Sequence, residues 1–226
     1  MNKTEALREL RSLGTAQNRK VYRRHGVTGE SFGVSYANLG KLQRKIRTDH
    51  GLALGLWASG NHDARVLATM VADPEELKPK ELDGWAQAVD CYPLGNAVAS
   101  LVVRSPHASS CAKRWVRSKS EFVAATGWDV ITSLAMDEPD GLADAELAEL
   151  LGRIEKRIHA AANRTRYSMN GALIAIGTRS PKLERAAVAA AKRIGAVEVD
   201  HGETGCKTPD AASYIPKAAA HRRKKA

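Results

Sequence analysis

The chain has 226 residues, and its 35 Lys and Arg outnumber its 25 Asp and Glu to give a formal net charge of +10. This length allows one sizeable core or two small ones, and the positive balance favours an anionic partner such as nucleic acid. Half of the net charge comes from five residues of an acid-free C-terminal tail: Lys217, Arg222, Arg223, Lys224 and Lys225.

The sequence carries no signal of export or of membrane insertion. The N-terminus is polar, and no apolar run reaches the roughly 20 residues that a membrane helix needs. Three cysteines, Cys91, Cys111 and Cys206, are widely spaced and form no C-x-x-C pair. We therefore expect a cytoplasmic protein (nucleoid-associated if bacterial) with no membrane association, no disulfide framework, no cofactor and no metal.

The predicted elements are helices from the first residues onward. Residues 3–13 and 15–25 form the first two, and the second is basic. The stretch from Gly33 to Asp73 contains three short helices. In the first of these, Leu39, Leu42 and Ile46 follow a 3.6-residue period, and Lys41 and Lys45 lie on the remaining surface. Helices this short must stack on neighbours, because one of them cannot bury an apolar face alone.

Helical patterns continue to residue 194. Further helices are predicted near 80–90, 93–103, 108–117, 119–136, 142–160, 163–177 and 181–194, with a break at 137–141. Only residues 196–199 resemble a strand. The four tryptophans occur among apolar neighbours at helical spacing, which favours core packing over base stacking.

About eleven or twelve helices with turns every 12–18 residues predict an all-α fold. The simplest architecture is a HEAT-like helical repeat solenoid, an α-α superhelix. We expect a single domain over residues 1–210 and a flexible basic tail over 211–226. A compact, irregular helical bundle is the structural alternative.

Two segments near the C-terminus offer further polar groups. In the segment 164–170, Arg164, Arg166 and Asn170 flank an aromatic residue, an arrangement that suits a phosphate backbone or an ordinary solvated helix start. The loop 199–210 holds four potential metal ligands, but none of the zinc spacings is present. A structured loop that caps the last helices or contacts DNA through Lys207 is the favoured interpretation.

Four features follow one another along the chain: the helix of Leu39, Leu42 and Ile46, the segment LALGLWASGNHDARVLATMVAD (52–73), Trp85, and the segment NGALIAIGTRSP (170–181). Together they resemble the DNA alkylation repair family, the AlkD-like proteins. The resemblance covers most of the chain up to about residue 195. It implies a C-shaped stack of HEAT-like helix pairs. It also implies a DNA glycosylase that removes cationic alkylpurines with the help of a carboxylate and aromatic side chains, without burying the base.

The positions that carry the family's chemistry are substituted. By alignment, its aromatic position falls on Tyr92, its catalytic aspartate on Asn96, its arginine on Ala125 (or Ala124), and its later tryptophan on Gly171. An amide supplies no negative charge to a developing sugar cation and does not act as a base. Asp90 is the one carboxylate close enough in sequence to substitute.

Three hypotheses follow. The first is a DNA-binding protein that acts on damaged or structured DNA (duplex, damaged or branched) without base excision, and that has no obligate protein partner. The second is an alkylpurine glycosylase that uses Asp90. The third is a protein–protein scaffold, which would present an apolar groove in place of clustered basic residues. The predicted DNA contacts are Lys41, Lys45, Tyr92, Asn96, Arg164, Arg166, Asn170 and Lys207.

Overall fold

The computed structural model describes residues 1–136 and 141–224. Within them lie thirteen α-helices and one 3-10 turn, Ile158–Ala160, and no strand, so the predicted all-α fold is confirmed. The helices are α1 Lys3–Leu13, α2 Ala16–Arg24, α3 Tyr36–Ile46, α4 His50–Trp57, α5 His62–Val71, α6 Pro79–Gln87, α7 Tyr92–Val103, α8 Ala108–Trp115, α9 Glu121–Met136, α10 Asp144–Arg157, α11 Asn163–Gly177, α12 Pro181–Ile194 and α13 Ala211–Arg223. Residues 137–140 of the predicted break lie outside the described residues, as do the last two residues of the tail.

Side-chain caps account for where many of these helices begin. In α2, α3 and α4 the residue before the helix, Thr15, Ser35 or Asp49, accepts a hydrogen bond from the backbone N–H three residues later. Such a cap satisfies an amide that the helix itself leaves without a partner. The first twelve helices all correspond to predicted ones. They were predictable because capping residues and the 3.6-residue spacing of apolar residues are signals within each helix's own sequence.

The chain divides into two compact units of internal contacts, and the predicted single domain over residues 1–210 stays a prediction. Unit 1 comprises residues 1–107 and 202–204, and unit 2 comprises 108–201 and 205–226. In unit 1, α5 packs against α3, α4 and α7 around fully buried leucines that include Leu39, Leu56 and Leu67. The rings of Trp57 and Trp85 stack in parallel there, with centroids 4.1 Å apart.

The core of unit 2 lies around α9 and α11. These helices pack closely against each other, α8 covers α9, and α12 and α13 cover α11. A Cβ on Gly127 would lie 2.8 Å from the Cβ of Trp115, so glycine permits the close approach of α8 and α9. Trp115 and Trp128 are buried, which confirms with the other two tryptophans the prediction that all four belong to the core.

The C-terminal segment differs from the flexible tail that its charges predicted. Residues 211–223 form α13, which Asp210 caps and whose buried side chains are Ala211, Ile215 and Ala219. This spacing of four places one narrow apolar stripe against the unit. A Cβ on Gly177 would lie 2.6 Å from Ile215, so a glycine in α11 makes room for the docked helix.

Candidate nucleic-acid interface

A cavity of about 610 Å³ opens in unit 1 beside α2, α3 and α7. Its aromatic walls are Tyr22, His25, Tyr36 and Tyr92, and the other lining residues are Val21, Pro93, Asn96, Ala97 and Ser100. Tyr36 is 53% exposed, so an aromatic residue is open to a ligand. We call this feature the aromatic cavity.

A buried carboxylate fixes the loop that leads into α3. Asp63 is fully buried on α5, and its two oxygens accept hydrogen bonds from the backbone amides of Phe32, Gly33 and Val34 and from the hydroxyl of Ser31. Gly33 has a φ of 79°, a conformation that side chains with a Cβ rarely adopt. This clamp determines where α3 begins, and Tyr36 is the first residue of that helix.

Tyr22 is the buried aromatic residue of the cavity, and its ring contacts those of Tyr36 and His62. Its hydroxyl donates a hydrogen bond to the carbonyl of Val34, and burial raises the pKa of the phenol well above its usual value. Its ring meets Tyr36 edge-on, with centroids 6.4 Å apart, and His62 edge-on at 5.4 Å. A neutral, hydrogen-bonded phenol of this kind is a structural group and is not a base.

Tyr92 and Asn96 share one face of α7. Tyr92 is the first residue of the helix, and its hydroxyl shares a hydrogen bond with Nδ1 of His25. Asn96 lies one turn later and is exposed. The structure therefore brings together two residues that the sequence paired, and it adds His25 and Tyr36, which the sequence analysis did not single out.

The acidic and thiol groups next to this face have different exposures. Asp90 is exposed and lies just before α7, but it does not line the aromatic cavity. Cys91 is buried, and burial, with the neighbouring Asp90 carboxylate, raises the pKa of its thiol to about 12. The thiol therefore stays protonated near neutral pH and is a poor nucleophile.

Exposed basic residues lie on α2, one of the helices beside the aromatic cavity. Lys20, Arg23 and Arg24 are exposed, and α2 has no acidic residue. The same helix supplies Val21, Tyr22 and the capping His25 to the cavity. We call these three side chains the basic α2 face. The basic composition of residues 15–25 was the sequence signal for it.

The two lysines predicted on α3 differ in their surroundings. Lys41 is exposed to solvent. The ammonium of Lys45 lies 2.8 Å from a carboxylate oxygen of Glu9, in a partly exposed ion pair. Because its charge is already paired, Lys45 is a weaker candidate for a phosphate contact than the sequence indicated.

In unit 2, the predicted basic residues of α11 have mixed roles. The guanidinium of Arg164 lies over the ring of Tyr167, 4.4 Å from its centroid. Arg166 donates hydrogen bonds to the carbonyls of His159, Ala161 and Glu198 and so holds the neighbouring loops. These bonds give Arg166 a structural role, and its predicted DNA contact stays a prediction.

The other predicted contacts of unit 2 lie at opposite extremes of burial. Asn170 is 1% exposed, and its amide donates to the carbonyl of Pro209. This burial contradicts a direct DNA contact at Asn170. Lys207 is exposed in the loop before α13, where the predicted contact stays a prediction.

The two remaining positions that the sequence analysis predicted to align with the family's chemistry are Ala125 and Gly171. Ala125 is buried within α9. Gly171 lies in α11, and a Cβ there would meet only the hydroxyl of Thr132, at 3.9 Å. A methyl group and a hydrogen can supply neither the cation nor the aromatic ring that the family positions imply.

Across residues 1–136 and 141–224, no three His, Cys, Asp or Glu side chains lie close enough together to hold a metal ion. Over the same residues, none of the helices combines the length and the apolar character that a membrane span requires.

Comparison with known proteins agrees with the architecture. The model of the family described as DNA alkylation repair enzyme matches residues 6–215. Two uncharacterized proteins, Lin0241 of Listeria innocua and Lmo0209 of Listeria monocytogenes, are each 33% identical over 216 residues, covering 93% of this chain and 94% of the relative. A solved structure from a new family of proteins related to the HEAT-like repeat DNA glycosylases, with affinity for branched DNA structures, matches with a TM-score of 0.89 and 27% identity. That match covers 99% of this chain and 96% of the other.

These matches define the class as HEAT-like repeat proteins related to DNA glycosylases. The chain belongs to the DNA alkylation repair enzyme family.

Proposed function

We propose that this protein binds damaged or branched DNA through the aromatic cavity and the basic α2 face, without the base-excision chemistry of its family. The observation that carries the proposal is that α2 presents three exposed cations and also lines an aromatic cavity that has no acidic lining residue among those described. Such cations neutralise DNA phosphates and release the counterions bound to the DNA, which favours binding. Aromatic faces can stack on bases that have left the helical stack.

Branched and damaged DNA fit this arrangement better than a regular duplex does. Bases at a branch point or lesion are already partly unstacked, so the cost of placing one against Tyr36 or Tyr92 is low. Stacking on an aromatic side chain contributes about 1–3 kcal/mol per base. The solved relative with affinity for branched DNA structures supports the same preference.

None of the described residues that line the cavity carries a carboxylate, and this argues against excision. Asn96 is the exposed polar residue of α7 next to Tyr92, and it is neutral. Loss of electrostatic stabilisation of this kind costs about 3–4 kcal/mol, which corresponds to two to three orders of magnitude in rate. The aligned positions at Ala125 and Gly171 offer no replacement.

One observation favours the second candidate, a glycosylase that uses a different carboxylate. Asp90 is exposed and lies two residues before Tyr92, so an approaching sugar could contact both. Under this hypothesis the purified protein releases alkylpurines, and Asp90→Asn abolishes that release.

Binding is tested by charge reversal on α2. The double variant Arg23→Glu/Arg24→Glu is expected to weaken binding to a DNA junction by more than about tenfold, since two phosphate contacts are lost and replaced by repulsion. The control Lys78→Glu/Lys80→Glu makes the same charge change at exposed positions of unit 1 outside the aromatic cavity. Equal affinities of the two variants would contradict the proposal, and a wild-type protein that does not bind DNA would favour a protein–protein scaffold.

Chemistry is tested by base release from DNA that carries N7-methylguanine and N3-methyladenine. We expect release at the spontaneous rate, with no change in Asp90→Asn. Robust release that disappears in Asp90→Asn would overturn the non-excising assignment and identify Asp90 as the catalytic carboxylate.

A further inference from the structure

Unit 2 contains a second cavity, of about 380 Å³, lined by more basic than acidic groups. It lies beside the start of α9, the end of α10 and the start of α11. Its basic lining residues are Lys119, Arg153 and Arg157, and the hydroxyls of Ser118 and Ser120 adjoin them. We call it the arginine cavity.

The positive charges here are close enough to repel one another. Burial lowers the pKa of the Arg153 guanidinium, and the neighbouring charges of Arg117 and Arg157 lower it further. The one acidic lining residue is Glu121, and its carboxylate already accepts the backbone N–H of Arg164 at 2.6 Å. An excess of positive charge therefore remains, and an anion would relieve it.

The donors are also held in place. Arg153 donates a hydrogen bond to the carbonyl of Val116 at 3.2 Å, which orients its guanidinium from α10 toward the segment before α9. Arg157 and Lys119 are exposed at the mouth, where a large ligand can reach them. A guanidinium offers paired N–H donors that match two oxygens of one phosphate.

We propose that the arginine cavity binds a phosphodiester of the DNA backbone, so that unit 2 makes its own contact with the nucleic acid; this inference rests on the proposed DNA-binding function. The walls favour a backbone phosphate over a free nucleotide. The aromatic lining residue, Trp128, is 1% exposed, and Ala160, Ala161 and Ala162 are too small to hold a base. The site thus offers charge and hydroxyl donors without a surface for stacking.

The test removes two mouth residues and measures the salt dependence of junction binding. Lys119→Ala/Arg157→Ala should lower the slope of log K against log salt by up to about 1.8, because each lost phosphate contact releases about 0.9 fewer counterions. The control Lys156→Ala/Lys192→Ala removes the same charge from exposed positions of unit 2 outside the cavity. Arg153 is left intact because it also holds Val116.

The outcomes separate the two proposals. A wild-type protein that binds no DNA overturns both of them. A wild-type protein that binds DNA, with equal slopes for the cavity variant and its control, overturns only the arginine cavity. Resonances of the arginine Nε–Hε groups supply a direct readout. The signals of Arg153 and Arg157 should shift on addition of DNA at lower concentrations than on addition of inorganic phosphate. Saturation by phosphate alone, without displacement by DNA, would show a free-anion site and overturn the inference.

Discussion

Asp63 is the residue whose replacement by asparagine best tests how the aromatic cavity is built. The carboxylate is fully buried and accepts four hydrogen bonds, three of them from consecutive backbone amides at 2.6 to 3.1 Å. Asparagine has nearly the same shape, but one of its two polar atoms donates and cannot accept. Asp63→Asn therefore changes the hydrogen bonding and leaves the packing volume almost unaltered.

The magnitude follows from counting these bonds. If the amide oxygen takes the place of Oδ2, the N–H of Val34 loses its acceptor, and a buried donor without a partner costs about 1–3 kcal/mol. The remaining three bonds lose their charge assistance, which roughly halves their strength. The lower desolvation cost of a neutral side chain offsets part of this loss. We expect the free energy of unfolding to fall by about 3 kcal/mol, within the range for a broken buried network.

Urea unfolding measures the global effect, and amide hydrogen exchange at Phe32, Gly33 and Val34 measures the local one. In Asp63→Asn these three amides should lose most of their protection. Asp49→Asn is the matched control, because Asp49 caps α4 through a single bond to the amide of Leu52 and asparagine caps equally well. A loss below about 1 kcal/mol with full protection retained would refute the clamp, because a single unsatisfied buried donor already costs that much.

Two further predictions concern unit 2. Ile215→Ala should lower the free energy of unfolding by about 3 kcal/mol, because the side chain is fully buried against α11. Urea unfolding measures this change, and Tyr214→Ala at an exposed position of the same helix is the control. An equally small change in both variants would show that α13 is only loosely held. Burial raises the pKa of Asp129 to about 6, against the opposing effects of the nearby Ser168 hydroxyl and the charge of Arg164. Between roughly pH 4 and 6 the folded protein keeps a proton that the unfolded chain has lost, so stability falls as the pH rises through this window. Asp129→Asn should remove that fall and stabilise the protein near neutral pH, as urea titrations across the window will measure; an unchanged pH profile would contradict it.

Part of the candidate interface was predictable from sequence, and part was not. Tyr92 and Asn96 lie one turn apart on one helix, so their shared face follows from helical geometry. His25 and Tyr36 come from two other helices, and their approach to Tyr92 depends on how α2, α3 and α7 pack. The burial of the predicted contact residues also depends on packing. The sequence predicted both Asn170 and Lys207 as DNA contacts, but the structure buries Asn170 and exposes Lys207.

The sequence by itself determined the all-α class, the positions of twelve helices and the family, and it predicted the loss of a catalytic charge at Asn96. These properties depend on apolar period, capping residues and aligned side chains, all of which act over a few neighbouring positions. Tertiary structure alone decided that residues 211–223 dock as a helix, that Asp63 clamps the loop before α3, and that the aromatic and arginine cavities exist. Each of these joins side chains from separate helices, and their distances are set by packing of whole elements, which no local pattern encodes.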